Sequence, residues 1–187
     1  MASRVFNVLV SLFFGILLLI PFALVTLLVK LTSPGPIIHW SKRIGKNNAF
    51  FLMPKIRTMK IDTPQLATHL MQNGKNYLTP IGSFLRKSSL DEIPQLWSVL
   101  IGDMNLVGPR PALFNQNDLV ELRTKLGVQQ LAPGITGWAQ INGRDELPIP
   151  EKVKFDREYL EKRSVWFDIK ILFLTAYKVL KRANVQH

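Results

Sequence analysis

The longest feature of the hydrophobic pattern is an uncharged run from Val5 to Val29, bounded by Arg4 and Lys30. At about 1.5 Å per helical residue, the run is long enough to cross a bilayer. It has no small-x-small cleavage site, which argues against a signal peptide. Pro21 removes one backbone donor from the run and predicts a break at Ile20–Pro21. Both flanks are basic, as cytoplasmic flanks tend to be. The segment therefore reads either as a span kinked at Pro21 or as a re-entrant helix that leaves by the face it entered.

After the turn-forming stretch Leu31–Pro36, alternating residues predict two strands, 37–44 and 49–57, joined by the polar turn Gly45–Asn48. Pro54 confines the second strand to an edge or a bulge. From Asp62 to Asn76 the pattern is polar, with one short possible helix. Pro80 to Lys87 reads as a short helix. A second helix starts around Pro94, since proline is tolerated only in a first helical turn. Its apolar positions Leu96, Val99 and Leu100 recur at helical spacing until Gly102 ends it. Residues 115–126, 151–162 and 164–181 read as further helices. The last is amphipathic, suited to the core or to a membrane interface.

Between the two short helices lies Ser88-Ser89-Leu90-Asp91-Glu92-Ile93-Pro94, with two adjacent carboxylates at a helix start. Either Ser89 or Asp91 fits the N-cap, and Ser89 with Glu92 has capping-box spacing. Both carboxylates would sit at the positive end of the helix dipole. On spacing alone, a purely capping role and a chemical role both stand. Two further segments read as anion-binding loops. Arg110 is fixed between Pro109 and Pro111, and arginine suits bidentate phosphate contact; a surface turn explains it equally well. The glycine-rich stretch 132–144 ends in Arg144 and fits neither a Walker nor a dinucleotide fingerprint.

Charge and composition narrow the partners. The 187 residues carry 24 Lys and Arg against 13 Asp and Glu, and no acidic residue precedes Asp62. Such a gradient points to an anionic surface near the N-terminal third, and the adjacent apolar run favours lipid over nucleic acid. The absence of cysteine excludes disulfides, zinc thiolate sites and thiol nucleophiles. No nucleic-acid motif accompanies the charge. A basic membrane-binding module without enzyme activity would share these features, and it would tolerate loss of Asp91.

Five segments in order carry a family resemblance: Lys55–Met59, Arg86–Glu92, Gly102–Met104, Val107–Pro111 and Pro133–Gln140. The chain resembles the bacterial sugar transferases, monotopic phosphoglycosyl transferases that move a sugar phosphate from a nucleotide to polyprenyl phosphate. The resemblance implies an α+β fold, mostly helical with one β-hairpin, at the cytoplasmic face of the bacterial inner membrane. Residues 1–31 would form a re-entrant membrane helix and 32–187 the catalytic domain, with a UDP-sugar, polyprenyl phosphate and membrane lipid as partners. It further implies that Asp91 is the nucleophile and that Glu92, beside Asp91, holds Mg²⁺. Arg86, Arg110 and Arg144, with Lys55 and Arg57, would meet the substrate phosphates. The family breaks its membrane helix at Ser-Pro, whereas this chain has Ile20-Pro21. Sugar identity and oligomeric state are not implied.

Overall fold

The computed structural model describes residues 2–61, 63, 74–143 and 147–184. Arg144 and most of the possible helix within 62–76 lie outside the described residues. The apolar run forms two helices, α1 (Ala2–Leu17) and α2 (Leu19–Thr32), bent by 60° at Leu18. The bend lies two residues before the predicted Ile20–Pro21 break. Pro21 has no N–H for the carbonyl four residues earlier, and its ring crowds that carbonyl. The Leu17 carbonyl therefore loses its helical donor, while Leu18 keeps i to i−4 bonds to Phe14 and from Phe22, both at 2.9 Å. Pro21 falls in the first turn of α2, where no donor is needed.

Both ends of this pair dock on the rest of the chain. Near the start of α1, Arg4 donates to the carbonyls of Val99 and Leu100, the latter at 2.6 Å. Asn7, which is 2% exposed, accepts from the Leu106 N–H at 3.0 Å. At the other end, Val25 and Val29 pack with Ile56 and Leu85. Between the docked faces, Phe13, Ile16, Leu17, Leu19 and Ile20 are all more than half exposed.

The predicted hairpin is present as β1 (Ile38–Ile44) and β2 (Phe50–Ile56), with Trp40 paired to Pro54. Asn47 and Asn48 adopt the left-handed conformation that closes its turn. The hairpin is not the whole of the β-structure, however. A later strand, β4 (Ala112–Leu113), extends it in the order β2-β1-β4, so Pro54 does sit on an edge strand. The strands β3 (Asn105–Val107) and β5 (Gly134–Thr136) form a separate parallel pair. Strands of two or three residues span too few positions to show a period, so the sequence pattern could not reveal them.

The remaining helices are α3 (Gly82–Ser88), α4 (Gln95–Ile101), α5 (Asn117–Lys125), α6 (Trp138–Ile141), α7 (Ile149–Lys162) and α8 (Val165–Asn184). Val99, Met104, Val107, Val153 and Ile171 are at most 1% exposed and make one core among α4, β3, α7 and α8. The helix α8 contributes one face to the core and leaves apolar side chains exposed on another. Ile171 is buried, while Trp166 and Phe173 are 81% and 72% exposed.

Arg57 has a structural duty. Its guanidinium, on a residue only 6% exposed, donates to the Pro36 carbonyl at 2.7 Å and to the Ser33 hydroxyl and carbonyl at 3.0 Å each. It straps the exit of α2 to the end of β2. Arg57→Leu is expected to lower stability by about 2–3 kcal/mol, since charged hydrogen bonds are lost and buried oxygens are left unpaired. A thermal melt of the purified protein reads this directly.

Candidate active site

The approach to the acidic pair is set by backbone contacts upstream. The Thr58 carbonyl accepts from the Thr79 N–H at 3.0 Å, fixing the start of α3 against the end of β2. Gly82 is required there, because a Cβ would collide with the Thr58 carbonyl. One turn later, Arg86 Nε donates to Thr58 Oγ1 at 2.9 Å. Ser89 then reverses the chain in a left-handed conformation, φ 58°, and Leu90–Glu92 form one 3-10 turn before Pro94.

No side chain caps a helix here. Neither Ser89 nor Pro94 makes a side-chain cap hydrogen bond, so the capping box suggested by Ser89 and Glu92 is not formed. The left-handed Ser89 turns the 3-10 segment away from a normal helix entry, and both carboxylates face a cleft of about 740 Å³.

The two acids differ in environment. Asp91 is 7% exposed, and burial raises its carboxyl above the usual range. The neighbouring charge of Glu92 pushes the same way, while Lys55, Arg86 and its own N–H oppose. Burial also disfavours ionised Glu92, but here Lys55, Arg110 and a hydrogen bond from Gln95 prevail and its pKa falls. Lys55 Nζ lies 2.7 Å from Glu92 Oε1, and Arg110 Nη2 lies 3.9 Å from the same oxygen.

The structure thus brings Asp91, Glu92, Lys55, Arg86 and Arg110 to one cleft, with Arg57 on its wall but committed to Ser33 and Pro36. Seven Lys and Arg face two acids among the described lining residues. His39 also lines it and is held toward the neutral form by burial, then by Arg43 and Lys55. An apolar groove of about 600 Å³ runs alongside, lined by the α1–α2 bend, Ile93, Pro94 and Trp97. Trp40 borders both spaces.

The Arg110 loop is held on all sides. Gly108 N–H donates to the Thr136 carbonyl and Gly134 N–H to the Pro109 carbonyl, both at 2.9 Å. Gly134 and Gly137 are needed because a Cβ on either would strike the Gly108 backbone. Arg123 Nη1 donates to the Arg110 carbonyl at 2.9 Å, and its Nε and Nη2 reach Asp156 Oδ2 at 2.9 and 2.7 Å. Sequence reasoning singled out neither Arg123 nor Asp156. A signal was present: Arg123 is one turn from Leu119, and Asp156 lies between Val153 and Tyr159 on an apolar face.

A buried carboxylate beside a cation-rich cleft is an arrangement with the charge to meet a polyanion. Residues 1–182 match the bacterial sugar transferase family, and the chain belongs to it. It is 46% identical to the UDP-glucose:undecaprenyl-phosphate glucose-1-phosphate transferase of Escherichia coli strain K12, over 82% of this chain and 35% of that protein. The protein of the same name in Xanthomonas campestris pv. campestris is 42% identical, over 81% of this chain and 33% of its own length. The undecaprenyl-phosphate galactose phosphotransferase of Salmonella typhimurium strain LT2 is 34% identical, over 96% of this chain and 40% of its own. The chain thus spans about a third of the first two relatives.

Proposed function

We propose that this chain transfers a sugar 1-phosphate from a UDP-sugar to polyprenyl (undecaprenyl) phosphate, releasing UMP. The observation that carries this reading is the buried Asp91 in a cleft where, among the described residues, seven cations face two acids. The names of the relatives supply the donor and acceptor classes.

Asp91 attacks the β-phosphorus of the donor. An Asp Oδ–P bond forms as the bond from that phosphorus to UMP breaks, and UMP leaves with the electron pair. A polyprenyl phosphate oxygen then attacks the same phosphorus, and the Asp91 carboxylate is the leaving group. Like charges 4 Å apart repel by about 4 kcal/mol at an effective dielectric of 20, so the carboxylate needs cations to approach a diphosphate. Arg86 and Arg110 supply them, and Lys55 fixes Glu92. Arg144 is a further candidate from outside the described residues.

The donor set suits Mg²⁺, which is held by one or two carboxylates together with substrate phosphates. Among the described residues there is no cluster of three or more metal-ligating side chains, so Asp91 and Glu92 would hold it with the diphosphate. When bound, it offsets phosphate charge. Lys55 already neutralises Glu92 at 2.7 Å and would give way to it.

Residues 1–31 form a re-entrant membrane insert and 32–187 a catalytic domain at the cytoplasmic face of the inner membrane. Among the described residues no single helix is long and apolar enough to cross a membrane, while the α1–α2 pair together has the length and composition. The groove at its bend suits an isoprenoid chain whose phosphate reaches Asp91.

The test incubates purified protein with a panel of UDP-sugars, undecaprenyl phosphate and Mg²⁺. UMP release, with a phosphosugar adduct in the intact-protein mass spectrum, is expected for at least one donor. Lipid binding without either product would leave a non-catalytic membrane module. Arg110→Lys keeps the charge but loses the planar fork, so kcat/KM should fall roughly tenfold. An unchanged value would place Arg110 on a solvated surface.

A further inference from the structure

We propose that Arg123, paired with Asp156, is a positioning residue that aims Arg110 at the phosphates in the cleft. The inference rests on Arg110 contacting substrate, as read above.

Pro109 and Pro111 have no N–H, so this loop is secured largely through its carbonyls. Four of them accept from four different elements. Tyr159 OH reaches Val107 at 3.2 Å, Gly134 N–H reaches Pro109 at 2.9 Å, Arg123 Nη1 reaches Arg110 at 2.9 Å and Arg43 Nη1 reaches Pro111 at 3.2 Å. The Arg110 carbonyl bears most directly on the guanidinium. Pro111 already restricts residue 110 to extended conformations, and fixing its carbonyl sets the peptide plane that follows. The side chain then leaves the backbone in one direction, with Nη2 3.9 Å from Glu92.

Burial shows why the donor is an arginine. Arg123 and Asp156 are 8% and 2% exposed. An ion pair this buried is often no better for stability than apolar residues of equal volume, so stability alone does not account for it. Its geometry does. Asp156 Oδ2 takes both Nε and Nη2, which turns Nη1 toward the loop. A lysine has one nitrogen and cannot hold the carboxylate and the carbonyl with the same fork.

The experiment uses the full chain in lipid nanodiscs, with UDP-glucose, UDP-galactose and undecaprenyl phosphate, and measures UMP release. Arg123→Met with Asp156→Leu removes both charges together. It is expected to melt within a few degrees of wild type, yet to lose 10- to 100-fold in donor kcat/KM, mainly as a raised KM, as a misaimed contact does. Arg123→Lys keeps a charge on Asp156 and should show the same loss, which covers failure of the apolar pair to fold. In an Arg110→Ala background neither change should cost anything further, because coupled residues are not additive. Wild-type kcat/KM in a folded variant would overturn the proposal. So would an equal loss in both backgrounds, which would mean Arg123 acts through another group. Arg110→Ala alone tests the underlying reading: if it is silent, Arg110 contacts no substrate and this inference falls with it. If Arg110→Ala is impaired and the Arg123 variants are not, only this inference falls.

Discussion

Asp91→Asn is expected to abolish the phosphosugar adduct and cut turnover by roughly 10⁴-fold, the scale of losing a nucleophile, while raising the melting temperature. The two effects share a cause. Burial and Glu92 raise the Asp91 pKa, so the native state binds its proton more tightly than the unfolded chain. Stability from this group is full below the unfolded carboxylate range and is lost as pH rises through the folded pKa. At neutral pH the ionised carboxylate is therefore a net cost, and the neutral amide removes it.

Glu92 has the opposite sign. Its pKa is lowered, against burial, by Lys55, Arg110 and Gln95. Its stability is present above the unfolded carboxylate range and is lost as pH falls through the folded value. Glu92→Gln should melt lower at neutral pH and leave Lys55 without its partner. The Asp91 difference should vanish in acid, where wild type and variant both carry a neutral group, while the Glu92 difference should shrink only as pH falls through its lowered folded value. Melts of the two variants from pH 7 downward check the signs. An Asp91→Asn variant that melts lower than wild type at pH 7, or turns over at near wild-type rate, would remove Asp91 from the reactive position.

The N-terminus is expected on the same side of the membrane as the catalytic domain. At about 1.5 Å per residue, α1 rises about 24 Å and α2 about 21 Å, each short of the roughly 30 Å hydrocarbon core. Arg4 and Asn7 dock the first end of the pair on α4 and β3, and Val25 and Val29 dock the other end on β2 and α3. Carrying the first end across the bilayer would break these contacts, and each unpaired backbone group in hydrocarbon costs on the order of several kcal/mol. The chain lacks cysteine, so single cysteines at Ala2 and at Lys46, exposed in the hairpin turn, provide reporters. Neither should react with an impermeant thiol reagent until cells are opened. Labelling at position 2 alone in intact cells would establish a full span.

Much of the frame was legible because its signals are local. The hairpin strands fall within one residue of the alternating pattern, and Pro54 marks an edge because it withholds a ladder donor. The helices α5, α7 and α8 end within three residues of their expected spans. What escaped depended on distant residues. Ser89 has a sound capping sequence, yet a left-handed turn makes it a reversal point instead of a cap. The bend appears at Leu18 because proline acts on a carbonyl four residues back, so the offending residue and the break do not coincide. For the site, the acidic pair and Arg110 were readable from motifs. The ion pair of Arg123 and Asp156 joins two helices, so neither helix read on its own points to it.

The docking of α1 also sets an order of events in time. Arg4 meets carbonyls 95 and 96 residues later in the chain, and Asn7 meets an amide 99 residues later. At about 5–20 residues per second of synthesis, these partners emerge roughly 5–20 seconds after the helix that needs them. During that interval the first helices are already made, with Arg4 and Asn7 still without the carbonyls and the amide they later meet. The segment bearing Asp91 then folds onto helices that have already been made. The cleft that holds Asp91 is thus completed from the middle of the chain, after its N-terminal wall.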